Sequence, residues 1–315
     1  MSGPTIPVPP RPTLPARAVA EAGHAARERV SAAGTSVTGM KFGFIGTSGS
    51  ASQMVELAVE VERAGWDGFF TWDGMAIGAM DIYDPWAILA AAAVRTERVT
   101  LGAMVFPLAR RRPWKVAREA VTIDHLSGGR LVLPVGLGAV PDDGGFTKVG
   151  PPESVDKRER AARLDETLAI LDQAWSGEPV HFVGEHYRVD GLQFLPRPVQ
   201  RPRIPIWVVA AWPRPRSMAR AARWDGILPA ISGDPGRQVT PAEVAEITTW
   251  LRDRDAATRE LVLEGVSPGD DPGWAVERLK PLADAGATWW IESRWEAPND
   301  HETLLARVRQ GPPRF

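Results

Sequence analysis

The sequence predicts an α/β protein folded as a (β/α)8 TIM barrel. Three observations carry this. From Met40 onward, short apolar runs alternate eight times with longer stretches of helical period. Strict strand-then-helix alternation implies parallel strands joined by right-handed crossovers. The length of 315 residues suits a barrel of about 250 residues with additions. The competing architecture, an open doubly wound sheet, usually carries G-x-G-x-x-G after its first strand. Here IGTSGS (45–50) lacks that spacing.

The elements follow in order. KFGFIG (41–46) reads as a strand, and SQMVELAVEVERAG (52–65) as an amphipathic helix stopped by Gly65. DGFFTWD (67–73) is the second strand. DPWAILAAAAVRT (84–96) opens with Asp84 as cap and Pro85 at the first helical position. VTLGAMVF (99–106) and RLVLPVGLG (130–138) are the third and fourth strands, separated by the helix RPWKVAREAVTIDHLS (112–127). After a long helix (160–177) come a hairpin turning at Gly184-Glu185 and the proline-rich crossing FLPRPVQRPRIP (194–205). IPIWVVAA (204–211), DGILPAI (225–231), ELVLEGV (260–266) and ATWWIES (287–293) are strands five to eight, each followed by a helix. Residues 1–39 differ: MSGPTIPVPPRPTLP is too rich in proline for helix or central strand and reads as a disordered extension. The expected organisation is that extension plus one barrel over 40–315, with insertions around 139–160 and 178–205.

Composition narrows the function. A net charge of −2 with mixed signs argues against a nucleic-acid or membrane-surface binder. No apolar run approaches the roughly 20 residues of a membrane span. With neither a span nor a secretory pattern, the expected location is cytoplasmic. The absence of cysteine removes disulfides, thiol nucleophiles and thiolate metal ligands. His181 and His186 stand five apart in a hairpin, and neither HxH nor HExxH occurs, so no metal is expected. No G-x-S-x-G nucleophile elbow is present.

In a (β/α)8 barrel, chemistry sits at the C-terminal ends of the strands. Strand two ends in Trp72-Asp73, where Asp73 is either a base or a loop cap. Strand four ends in Gly136-Leu137-Gly138, where bare backbone admits a flat ligand or simply turns tightly. Strand five ends in Ala210-Ala211-Trp212, followed by Arg214, Arg216 and Ser217 at a helix start, a basic turn suited to phosphate. Strand eight ends in Glu292, a proton carrier or an ion-pair partner for Arg294. Of the consecutive arginines Arg110 to Arg112, Arg110 is the candidate to meet an anion. Trp72, Met104, Trp212 and Trp86 are candidates to line an apolar pocket, although core packing explains each one alone. A site with phosphate-friendly ends but no metal set or nucleophile points to a borrowed cofactor.

The block DPWAILAAAAVRTERVTLGAMVFPLARRRPWKVAREAVTIDHLSGGRLVLPVGLG (84–138) resembles the bacterial luciferase-like oxidoreductases. So do the helix–hairpin segment, FLPRPVQRPRIPIWVVAAWPR and RAARWDGILP. The resemblance spans roughly 40–295. It implies a (β/α)8 barrel holding FMN or the deazaflavin coenzyme F420, and an oxidoreductase, in some members a monooxygenase, acting on a small organic substrate. It also implies a non-prolyl cis peptide at Met104-Val105, preceded by Ala103, beneath the central flavin ring. Gly136-Leu137-Gly138 would flank the flavin edge, and the amides of Ala210, Ala211 and Trp212 would hold its phosphate. Electrons would come from substrate, NAD(P)H or a separate flavin reductase, and a homodimer is expected. The chain departs from the family pattern in four places. Ala210-Ala211 stand where two glycines are common, and Trp72-Asp73 where Asp-His is common. Ala139 replaces a glutamate, and Pro134 a glycine. These changes disfavour a sugar-phosphate dehydrogenase and leave Asp73 and Glu292 as candidate catalytic residues. The rival reading is a barrel that binds a flavin without turnover.

Overall fold

The computed structural model describes residues 39–78, 80–138, 148–149 and 153–315. The expected N-terminal extension lies outside them except for Gly39, as do 139–147 and 150–152 of the expected insertion, including Ala139. The unit Met40–Phe315 contains every element described below.

Eight strands run parallel in the order β3-β2-β1-β10-β9-β8-β7-β4. They are β1 (Lys41–Ile45), β2 (Gly68–Thr71), β3 (Thr100–Ala103), β4 (Leu133–Val135), β7 (Ile206–Trp212), β8 (Gly226–Ile231), β9 (Glu260–Gly265) and β10 (Trp289–Glu292). Parallel bridges Leu101–Leu131 and Phe106–Val135 join β3 to β4, so the sheet returns to its own edge. This is the (β/α)8 barrel that the alternation predicts. The antiparallel pair β5 (Pro179–Val183) and β6 (Arg188–Gln193) forms the expected hairpin outside the barrel.

The helices between strands are α1 (Ala51–Arg63), α2 (Pro85–Ala93), α3 (Pro113–Ser127), α4 (Lys157–Ser176), α5 (Pro215–Ala221), α6 (Pro241–Arg252), α7 (Pro272–Arg278), α8 (Lys280–Asp284) and α9 (His301–Arg309). Their starts follow local chemistry. Ser50 and Gln53 form a capping box on α1, and Asp84 accepts from the amides of Trp86 and Ala87 ahead of Pro85. The single helix expected over 271–286 is divided at Leu279, ahead of Pro281, which cannot supply an interior helical N–H.

The barrel interior is filled by side chains, as a closed eight-stranded sheet requires. Phe70, Trp207 and Trp289 pack with ring centroids 5.4–6.2 Å apart. Glycines make room for these rings. A Cβ at Gly43 would lie 2.6 Å from the Phe70 ring, and one at Gly226 2.3 Å from Trp207. The aromatic floor closes the lower barrel and leaves the strand C-termini as the open end. Buried polar anchors fix the connections around it. Asp124 on α3 accepts from the amides of Val199 and Gln200, tying down the proline-rich crossing. Arg130 donates to the carbonyls of Ala93, Thr96, Val99 and Ser127, satisfying chain ends that would otherwise be buried without partners.

Candidate active site

A cavity of about 1430 Å³ opens at the strand C-termini. Its inner wall is apolar: Met104 and Val105 after β3, Val209 on β7, Leu228 on β8 and Val262 on β9. The rim comes from Arg294 to Pro298 after β10, and the cavity continues past Gln238–Pro241 to Trp274 and Leu282.

The bulge after β3 builds one wall. The peptide between Met104 and Val105 is cis, at the position the family resemblance implies. Ala103 is the fully buried last residue of β3, and the Met104 amide donates to the Thr71 carbonyl at 2.8 Å. The Gly136-Leu137-Gly138 loop stands beside the bulge. A Cβ at Gly136 would approach Val105 Cγ2 to 3.0 Å, and Gly138 has φ +78°, a conformation glycine adopts freely. Arg160, buried on α4, donates to the carbonyls of Leu137 and Gly138, both at 2.9 Å. This charged brace escaped the sequence reading, because nothing in the pattern of α4 distinguishes Arg160 from its exposed neighbours.

The arginine run divides its labour differently from expectation. Arg110 has a buried side chain 3.9 Å from Glu153. A Cβ on Gly138 would meet its Nη1 at 2.6 Å, so Arg110 backs the glycine loop. Arg111 is the arginine that meets the strand-two acid. It donates to both oxygens of Asp73 at 2.7–2.9 Å. Burial pushes the Asp73 carboxyl up and Arg111 pulls against it. Asp73, expected as a base or a loop cap, is thus half of a bidentate ion pair with Arg111. Arg112 stands at the N-cap position of α3, makes no side-chain capping bond and is exposed.

The end of β7 also differs from expectation. The Ala211 amide donates to Ser217 Oγ at 2.9 Å, so that amide is committed within the chain. The carbonyl of Trp212 accepts from the Ser232 amide, and Arg214 Nε donates to Ser232 Oγ at 2.7 Å. Arg216 is exposed, and Ala210 is fully buried in the β7–β8 ladder. The segment 210–217 does not line the cavity. It joins the ends of β7 and β8.

The two strand-terminal glutamates have opposite fates. Glu292 is fully buried and does not line the cavity. Its carboxylate accepts from the Ser267 amide and hydroxyl and from Arg294 Nε at 3.0 Å, with Arg307 Nε at 3.6 Å. Of the two roles expected of it, the structure shows the ion pair with Arg294, and with Arg307 it anchors α9. Glu264 on β9 lines the cavity. Trp295 Nε1 donates to it at 3.0 Å, Ser293 hydrogen-bonds it as well, and burial pushes its carboxyl up. Among the described residues no cation pairs with it. Trp295 also meets Trp72 edge to face, with centroids 5.7 Å apart. Trp72 is otherwise barrel core, and Trp86 stacks on Phe106 at 4.3 Å, away from the cavity.

No helix among the described residues is long and apolar enough to cross a membrane. The family model for luciferase-like monooxygenases matches residues 31–302. The chain is 30% identical over 310 residues to the F420-dependent glucose-6-phosphate dehydrogenase of Intrasporangium calvum, covering 84% of this chain and 88% of that protein. It is 33% identical over 184 residues to the 4-hydroxyprotoasukamycin monooxygenase of Streptomyces nodosus subsp. asukaensis, covering 58% and 47%. A monooxygenase structure from Streptomyces bottropensis superposes with a TM-score of 0.69 at 23% identity, over 86% of this chain and 97% of that one. The F420-dependent tetrahydromethanopterin reductase of Methanopyrus kandleri superposes at 0.66 and 17%, with the same coverages. Fold, cis bulge, strand-end cavity and sequence agree: the chain is an oxidoreductase of the luciferase-like monooxygenase family.

Proposed function

We propose that this single barrel binds F420 or FMN at the strand C-termini and uses it to oxidise or reduce a small organic substrate of largely apolar surface. The observation that carries the reading is the cavity itself, walled by the cis Met104-Val105 bulge, with the Gly136–Gly138 loop packed behind Val105. The fit is physical. About 1430 Å³ exceeds what a tricyclic ring alone needs, drug-sized pockets being roughly 300–1,000 Å³. Ala103, Met104, Val105, Gly136, Leu137 and Gly138 would hold the ring. The cations that line the cavity are Arg237, Arg278 and Arg294, and these would supply charge for the phosphate in place of the expected Arg214 and Arg216. The cofactor supplies hydride transfer or oxygen activation; the chain supplies orientation and exclusion of water.

The apolar inner wall favours an apolar substrate over a sugar phosphate, although several relatives are named glucose-6-phosphate dehydrogenases. A polyanion would have to give up its hydration against Val105, Val209 and Val262, at a cost that needs dedicated cations. The reading includes NAD(P)H or a separate reductase as electron source in the FMN case, a cytoplasmic location and a homodimer. Turnover tests it. Protein loaded with F420 or FMN should exchange hydride with apolar alcohols and ketones and leave glucose 6-phosphate untouched. Turnover of glucose 6-phosphate in preference to the apolar panel would reverse the substrate assignment.

A further inference from the structure

We propose that Glu264 is the proton donor of this site, a neutral carboxylic acid that presents its O–H to an oxygen of the bound substrate. The inference rests on the proposed oxidoreductase reading and deepens it.

Geometry selects the residue. Among the described residues, the ionisable side chains lining the cavity are Arg237, Glu264, Glu277, Arg278, Arg294 and Glu296. Glu277, Arg278 and Glu296 are exposed at the outer rim. Arg237 is bound to Glu243, and Arg294 to Glu292. Glu264 alone stands on a barrel strand with its side chain inward, two residues beyond Val262 of the interior cluster. Among the described residues its partners are the Trp295 ring N–H and the Ser293 hydroxyl. Neither carries a charge, and none of the five other ionisable groups pairs with it. Burial disfavours an ion that lacks a counter-charge, and the carboxyl is pushed up accordingly. Trp295 Nε1 holds one oxygen and fixes the plane of the group.

The step balances simply. When a substrate carbonyl is reduced, its carbon gains a hydride and its oxygen gains a proton. The Glu264 O–H bond breaks, the product O–H bond forms, and the carboxylate keeps the electron pair until solvent reprotonates it through the mouth. The hydride is the chemistry already assigned to the reduced flavin or deazaflavin.

Infrared difference titration reads the protonation without cofactor or substrate. An ordinary glutamate titrates near pH 4.3. The protein should show the carbonyl stretch of a neutral carboxylic acid well above that pH, and Glu264→Gln should remove the band. A spectrum identical in the two proteins overturns the proposal. With F420 or FMN loaded and reduced, and cyclohexanone as probe, Glu264→Gln should lower kcat by about 100-fold, the low end for general acid catalysis. Cofactor affinity should stay within about twofold, since the acid is not a cofactor ligand. Glu264→Asp should keep the band and recover part of the rate, which a purely structural role would not produce. Unchanged kcat in Glu264→Gln would equally overturn the proposal. Failure of the unmodified protein to bind either cofactor would count against the function reading and leave the infrared result to decide the state of Glu264.

Discussion

Glu264 and Glu292 occupy the ends of neighbouring parallel strands, yet they do opposite work. In the β9–β10 register Glu264 lies opposite Ile291, and Glu292 lies opposite Gly265. One residue of offset sends the first side chain into the barrel and the second into the helix layer, because strand side chains alternate. There Glu292 meets Arg294, Arg307 and Ser267, whereas among the described residues Glu264 meets the neutral donors Trp295 and Ser293. Glu292 is fully buried and Glu264 half-buried. What also differs is the counter-charge, and that decides whether such an acid is a fixture or a proton source.

The largest way to break this contrast is to remove the counter-charge. Arg307→Met leaves Glu292 buried beside a single guanidinium, strips the Gly311 carbonyl of its side-chain donor and leaves the Ser267 carbonyl to Arg294 alone. Loss of one partner from a buried pair costs about 3–5 kcal/mol, measured as a shift in the urea midpoint at unchanged slope. A loss below about 1 kcal/mol would show that Glu292 does not need the cation.

A smaller loss is expected at the glycine loop. Arg160→Met removes one charged donor shared by two carbonyls, at about 1.5–3 kcal/mol for hydrogen bonds to a charged group. It should also weaken cofactor binding, because the loop is the proposed ring support. Weakened stability with unchanged affinity would separate the loop from the cofactor.

The pH dependence sharpens the comparison at the other glutamate. Burial raises the folded-state pKa of Glu264. The folded protein therefore holds a proton that the unfolded chain releases above about pH 4.3. Its contribution is fully present below that pH, and stability falls as pH rises through the folded value. Glu264→Gln should abolish this component, so that the difference between the two stability curves grows with pH. Parallel curves would mean that Glu264 ionises normally.

The smallest effect is expected at the exposed rim. Glu243 is held at about 2 by Arg237 and the cap of α6. Here the sign reverses: the contribution is present above the unfolded value of about 4.3 and is lost as pH falls towards about 2. Arg237→Ala should cost under about 1 kcal/mol at neutral pH.

The strand-then-helix rhythm made all eight barrel strands legible from Met40 onward, and the cis bulge fell at the expected Met104-Val105 bond. Facing was harder to read. Buried parallel strands are apolar on both sides, so ELVLEGV and ATWWIES show no alternation that would tell Glu264 from Glu292. The same blindness affected the arginine run. Periodicity cannot say which of three adjacent side chains turns to Asp73; the 3-10 turn at Leu108–Arg110 settles it in favour of Arg111. Arg160 gave no signal, since its partners are backbone carbonyls 22 and 23 residues away.

The central claim is that the strand-end cavity is a flavin or deazaflavin site. A fluorescence and absorbance titration of the purified chain with F420 and with FMN tests it most directly, alongside Val209→Trp, which would fill the cavity from β7. Saturable binding of one cofactor, lost in Val209→Trp while the unfolding temperature is kept, is the expected result. Binding of neither, or binding indifferent to Val209→Trp, would contradict the claim.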